Sequence, residues 1–234
     1  NEKLRRYDAS RSVFLTTVSH EVKNPLNAIN LYARDTLELM GEEAPDVSMI
    51  QSNQQVIEKM VVRIDRILTD LKDTVAIEQG RLALNLAPMR LSKLLKEVSG
   101  TYFGKDASGG NELVLDIDEN LLPISADYAR IVQVVTNLLS NAIQHTKAGR
   151  IRITLYKQGG EQIVVIADNG EGMKEELQEQ VFKGYISSDK EYWRHGIGLY
   201  VSHQIIEAHG GRIWIESKLG EGTTVTFTLP DEEK

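Results

Sequence analysis

Cysteine is absent from the 234 residues, which removes disulfide scaffolds, Cys-ligated zinc, iron–sulfur clusters and thiol nucleophiles together. No run of about 18 apolar residues and no signal-peptide pattern occurs, so the stretch reads as soluble, with no membrane contact of its own. Basic residues are in deficit, 27 Lys and Arg against 34 Asp and Glu, for a net charge of −7. Broad nucleic-acid binding, which needs cationic surface to displace counterions, is therefore not expected. What is present is enough for a core: 41% of residues are hydrophobic, and the length exceeds the usual single-domain mode, so that two domains are as compatible with it as one. The chain begins at Asn1 rather than Met. It reads as a piece of a longer protein, compatible with a sensor or membrane-anchored segment upstream.

The apolar pattern changes character near residue 80. Ile50, Ile57, Ile64 and Leu71 recur every seven residues, with Val61, Leu68 and Val75 as a parallel row and Met60 and Ile67 between. This heptad seam predicts a helix over 46–78, about 50 Å long at 1.5 Å per residue. An earlier helix, 2–40, carries Leu15, Val18, Val22, Leu26, Ile29, Ala33, Leu37 and Met40 on one face. The link at 41–46 supplies a glycine stop, a proline and an acidic helix start. Two such helices form an antiparallel hairpin whose apolar face is too large to leave wet, and pairing with a second copy gives a dimeric four-helix bundle.

Beyond Gly80 the pattern alternates. Strands are predicted at 82–86, 113–117, 151–156, 162–167, 212–217 and 223–229, and helices at 91–99, 127–145 and 199–208. A Gly159-Gly160 turn separates the third and fourth strands. The fold class is thus α+β: a helical hairpin over residues 1–79, then an α/β sandwich over 80–234 with a mixed sheet packed on helices.

Four constellations carry chemistry. In Ser19-His20-Glu21-Val22-Lys23-Asn24-Pro25, Val18 and Val22 face the seam, which turns His20 to solvent at the rim of the bundle. An exposed imidazole can be a nucleophile, and Glu21 beside it can select a tautomer and take a proton. Pro25 removes a helical hydrogen bond and is expected to loosen or kink the helix there. Asn137 and Asn141 lie one turn apart on a helix whose other face is apolar; such amides can donate to phosphate or offer oxygen to Mg²⁺. Asp168-Asn169-Gly170-Glu171-Gly172 follows an apolar strand, where a carboxylate can accept from an exocyclic amine and glycines admit a flat ring. Gly196-Ile197-Gly198-Leu199 opens a helix, whose free N–H groups form a ready phosphate site.

Taken in order, these motifs resemble the catalytic core of the sensor histidine kinases of two-component systems, over essentially the whole chain. SHEVKNPL is similar to the phospho-acceptor box, NLLSNAIQHT to the N box, DNGEGM to the G1 box, VFKGY to the F box and HGIGLYVSHQIIEAHGG to the G2 box. The resemblance implies a dimerisation and histidine-phosphotransfer domain (1–79) followed by an ATP-binding domain of the Bergerat type (80–234). It implies that His20 is phosphorylated by ATP with Glu21 as general base, and that the phosphoryl group passes to an aspartate on a response-regulator receiver domain. Asn141 would hold Mg²⁺, with Asn137 supporting the phosphates. Asp168 would bind the adenine amino group, Gly170 and Gly172 would shape that pocket, and Gly196, Gly198 and Leu199 would meet the phosphates. Phe182 and Tyr185 would anchor a lid at 186–195. ATP and such a partner place this portion in the cytoplasm.

Two details refine these expectations. Hydrolysing relatives carry a water-activating Glu where this chain has Asn137, so the γ-phosphate is expected to be kept for His20. The H-E-x-x-N pattern ending at Asn24 marks members that also dephosphorylate their partner; otherwise Asn24 merely tolerates the pre-proline backbone. The chain departs from the family at Arg194, where the G2 box usually has its first glycine, and at Gln144, often Lys. Lys147, Lys183 and Lys190 are candidate substitutes for the missing charge. A regulatory scaffold with weak nucleotide binding is the alternative these departures leave open. An ATP-hydrolysing, chaperone-like domain is disfavoured by Asn137.

Overall fold

The computed structural model describes residues 2–41, 44–103, 110–178, 181–182 and 198–231, which fall into two compact units, one running to Ala76 and the other starting at Ile77.

The first unit is a helical hairpin, α1 (Glu2–Met40) and α2 (Val47–Glu78). Helix α1 stops at Gly41, whose N–H donates to the Glu38 carbonyl at 3.0 Å. Asp46 caps α2: its carboxylate accepts from the N–H groups of Ser48 and Met49 at 3.0 and 3.1 Å and from the Ser48 hydroxyl at 2.7 Å. Those bonds, the Ser48 hydroxyl foremost, hold the carboxyl below its ordinary range. Asn53 on α2, buried, donates to Asp35 of α1 at 2.7 Å and cross-links the hairpin. Ile67 is buried, whereas Val61, Leu68 and Val75 keep 52%, 52% and 42% of their surface in one chain. Pro25 is buried within α1, and the helix continues through it to Met40 rather than breaking.

The second unit begins differently from the expected strand at 82–86. Leu82 and Leu84 are half-buried and their neighbours exposed, so the alternation is real, but the segment joins no ladder. Its Asn85 N–H donates instead to the Asp127 carboxylate at 2.8 Å. The strand lies just beyond, β1 (Ala87–Met89), and pairs antiparallel with β3 (Ile124–Ala126), a short element the alternation does not reveal. Between them run α3 (Leu91–Tyr102) and β2 (Glu112–Ile117).

There follow α4 (Tyr128–His145), β4 (Arg150–Gln158), β5 (Glu161–Asp168), the single-turn α5 (Glu175–Gln178), α6 (Gly198–Ala208), β6 (Ile213–Lys218) and β7 (Gly222–Pro230). The five-stranded sheet has the order β2-β4-β5-β7-β6, with β2 parallel to β4 and every other pair antiparallel. Gly159 and Gly160 close the β4–β5 hairpin with φ of 60° and 79°, a two-residue turn that suits glycine. Register sets the layers: Ile151, Ile153 and Leu155 lie opposite Asp168, Ile166 and Val164, and these in turn opposite Thr223, Val225 and Phe227. The apolar members of that face are buried against Leu94, Leu95, Ile131, Val135, Leu139 and Ile205 of the three long helices.

Asp127 stands just outside α4 as its N-cap, accepting from the Arg130 N–H at 3.2 Å. Burial raises its carboxyl, but the N–H donors of Asn85 and Arg130 outweigh that and the group ends below its ordinary range. The Asp127 N–H donates to His209 Nε2 at 3.0 Å, while His209 Nδ1 bonds the Ile205 carbonyl at 2.7 Å. His209 therefore carries its proton on Nδ1 and ties the end of α6 to the start of α4.

Candidate functional site

On the helical unit, His20 is exposed, as its angular position relative to Val18 and Val22 implies, and Asn24 is exposed one turn later. Glu21 is half-buried. Burial raises its carboxyl above the ordinary value, Asp70 adds to this, and the Arg63 and Arg66 guanidinium groups of α2 oppose it. A carboxylate with a raised pKa is a better proton acceptor than a free one.

On the α/β unit, three segments converge at the end of α4. The first is α4 itself. Asn137 is buried at 4% exposure, and its Nδ2 donates to the Ser202 hydroxyl of α6 at 2.9 Å. A Cβ on Gly198 would fall 2.3 Å from Asn137 Oδ1, so only glycine lets α6 start this close to α4. Asn141, one turn on, is half-buried and makes no side-chain hydrogen bond among the described residues. Leu199 is buried beneath the first turn of α6.

The second segment is the turn after β5. Asp168 closes the strand, and its carboxylate accepts from the Gly170 N–H at 2.8 Å. Burial raises its pKa above the ordinary value of 3.8; the Gly170 and Thr223 N–H groups, the Thr146 hydroxyl and the His145 ring only partly oppose it. Ionisation of Asp168 thus costs folding free energy: this contribution is most favourable below pH 3.8 and is lost as pH rises through the folded-state value. A Cβ on Gly170 would lie 2.1 Å from the His145 carbonyl oxygen. The Glu171 N–H donates to that same carbonyl at 3.1 Å, and its carboxylate meets His145 Nδ1 at 2.6 Å.

The third is the β6–β7 turn. Gly172, at φ 64°, packs with its Cα against the Lys218 carbonyl, where a Cβ would fall 2.0 Å from the oxygen. The Gly220 N–H donates to the Glu171 carbonyl at 2.7 Å, and the Met173 N–H to the Ser217 hydroxyl at 2.9 Å. Phe182 stands beside His203 of α6, ring centroids 5.5 Å apart. Tyr185, Gly196, Arg194, Lys183, Lys190 and the lid at 186–195 lie outside the described residues.

Sequence reasoning missed several residues that build this site. Buried Asn111 donates to the Thr146 carbonyl at 3.0 Å and accepts from the Gly149 N–H at 2.9 Å, clamping the turn after α4. Ser202 reads as an ordinary helix residue, and Gln178 as surface, yet Gln178 bonds the Ser217 backbone at 2.7 and 3.0 Å. A groove of about 500 Å³ lined by Glu112, Arg150, Arg152 and Ala167 reaches Asp168 and Asn169 at the end of β5. Arg150 there is held by Glu112 at 2.9 Å.

Among the described residues, no helix is long and apolar enough to cross a membrane. Residues 10–80 match the family model described as His Kinase A (phospho-acceptor) domain, and residues 126–233 the model described as Histidine kinase-, DNA gyrase B-, and HSP90-like ATPase. The chain is 31% identical over 232 residues to the circadian input-output histidine kinase CikA of Synechococcus elongatus, covering 96% of this chain and 30% of that one. It is 29% identical to the adaptive-response sensory kinase SasA of Gloeothece citriformis, covering 98% and 60%. It thus spans less than two thirds of these relatives. The solved catalytic domain of the histidine kinase ThkA is 30% identical with a TM-score of 0.55, covering 63% of this chain and 96% of that domain. ThkA in complex with the response regulator protein TrrA superposes with a TM-score of 0.64 at 25% identity, covering 98% and 67%.

Proposed function

The chain belongs to the histidine kinase family, and on that premise we propose that it is an ATP-dependent protein-histidine kinase core that phosphorylates His20 and passes the phosphoryl group to an aspartate of a response-regulator receiver domain. An imidazole nitrogen of His20 attacks the γ-phosphorus; the N–P bond forms as the bond to the bridging oxygen breaks, ADP leaves, and Glu21 takes the ring proton. Its raised pKa supports that role. Residues 1–79 pair with a second copy; the exposed apolar rows on the hairpin, Leu37, Val61, Val62 and Leu68 among them, support the dimer. The kinase acts in the cytoplasm, where ATP and the regulator are found.

In the nucleotide site, Asp168 accepts from the adenine amino group, with Gly170 and Gly172 bringing backbone against the ring. Gly196, Gly198 and Leu199 meet the phosphates, Phe182 and Tyr185 anchor the lid, and Asn137 supports the phosphate end. The Asn141 amide, free of hydrogen bonds among the described residues, fits an oxygen ligand for Mg²⁺, which favours few protein ligands together with phosphates and water. That ion would neutralise charge on the transferring phosphoryl group. Because Asn137 is an amide, the site has no proton acceptor for an attacking water there, which supports phosphotransfer over hydrolysis.

The observation that carries this reading is that α4 seats Asn137 against Gly198 of α6 and, at its His145 end, the turn of Asp168 and Gly170, in a chain that also exposes His20 beside a base. Its test is incubation with Mg²⁺ and γ-labelled ATP. Label on the protein that resists base, is lost in acid, and moves to a receiver domain is the expected result. Free phosphate with unlabelled protein would make it an ATPase, and neither product a scaffold.

Two further outcomes follow from single groups. ATP affinity should fall as pH is lowered through the Asp168 carboxyl, at a pH above 3.8, because only the carboxylate accepts without also offering a proton. Titration calorimetry between pH 4 and 8 would show it, and a flat profile would remove Asp168 from the adenine contact. Asn24, exposed one turn after His20, orients water for dephosphorylation of the regulator. Asn24→Ala should leave His20 labelling within about twofold and remove regulator dephosphorylation. Survival of both activities would refute the assignment.

A further inference from the structure

The Asn137 amide is wedged across the first turn of α6. Its Nδ2 donates to Ser202, and its Oδ1 lies against Gly198, the residue one turn earlier on the same helix. Both Asn137 and Ser202 are buried, at 4% and 2% exposure, so water cannot readily replace this bond. Ser202 lies among the buried apolar residues Val201, Ile205 and Ile206, a setting that otherwise calls for an aliphatic side chain. A hydroxyl is held there because a buried amide N–H needs an acceptor.

We propose that Ser202 is a positioning residue of the phosphate end of the nucleotide site, a role resting on the reading of that site given above. It does not touch the nucleotide. It accepts from Asn137, holds the amide with its oxygen towards Gly198, and so locks the α6 N-terminus to α4 at one spacing. Loss of the hydroxyl leaves the Nδ2 donors to seek partners elsewhere. The amide then turns, and the first turn of α6, whose N–H groups meet phosphate, loses its fixed seat. The adenine end is anchored independently, through the Gly170–His145 and Gly172–Lys218 backbone contacts, and is not disturbed.

That division gives a signature that general destabilisation lacks. Binding of MgATP and of adenosine is measured by calorimetry and by NMR titration for wild type, Ser202→Ala, Asn137→Ala and the double variant. Ser202→Ala is expected to weaken MgATP about tenfold and adenosine less than about twofold, and to have almost no further effect once Asn137 is alanine. Ser202→Thr, which keeps the hydroxyl, should restore MgATP affinity to within about threefold of wild type. Equal losses for adenosine and MgATP, or additive losses in the double variant, would overturn the proposal. So would unchanged MgATP affinity in Ser202→Ala. Wild-type protein that binds neither ligand would instead refute the nucleotide site itself.

Discussion

His20→Ala should abolish base-stable protein label, a loss of at least about 100-fold, while MgATP affinity stays within about twofold. Among the described residues, every other histidine ring is already engaged. The chain has five histidines and no cysteine. His145 bonds Glu171, His203 lies against Phe182 and the Glu207 carboxylate at 3.3 Å, and both ring nitrogens of His209 are engaged, by Ile205 and Asp127. The remaining one, His195, lies outside the described residues. Because His20 is exposed, its truncation creates no cavity, and stability should change by no more than about 0.5 kcal/mol. Phosphate-affinity gel shifts with and without acid treatment would read the result. Undiminished label in the variant would place the phosphoryl group elsewhere.

Gly172→Ala should be among the most damaging small substitutions in the α/β unit. Two penalties coincide. The residue sits at φ 64°, and the new methyl would lie 2.0 Å from the Lys218 carbonyl oxygen, 2.7 Å from its carbon and 3.1 Å from the Gly222 oxygen. All three are backbone atoms, so no side chain can swing aside. The Gly220–Glu171 bond and the Met173–Ser217 bond tie the two turns together, and moving one drags the other. A loss on the order of 3 kcal/mol or more is expected, with ATP affinity falling at least about tenfold. Gly220→Ala supplies the control. Its φ is 81°, but nothing lies within 4 Å of the new methyl, so it should cost only about 1–2 kcal/mol and spare binding. Equal melting shifts for the two variants would show that the packing against Lys218 does not constrain the G1 turn.

Much of the architecture is legible in one dimension, because the signals are local. Heptad spacing in α2, alternation in β4 and β5, the Gly159-Gly160 turn and the Asp46 cap each depend on residues within a few positions. The failures are equally physical. The alternation at 82–86 satisfies a strand pattern, yet the Asn85 N–H is taken by Asp127, 42 residues away, and pairing passes to β1. Asp127 reads as the first residue of α4 but serves as its cap.

For the site, residue type and order alone determined which side chains can carry chemistry: an imidazole beside a carboxylate, two amides a turn apart, a carboxylate before two glycines. The tertiary structure decided what each of them faces. Asn137 could as well point to phosphate as into the core, and nothing nearby in sequence distinguishes the two. Its partner, Ser202, is 65 positions away, and Gly198 is as distant. Asn111 and His209 are silent in the sequence for the same reason: a buried donor or acceptor acquires its role only from the group that folding brings to it.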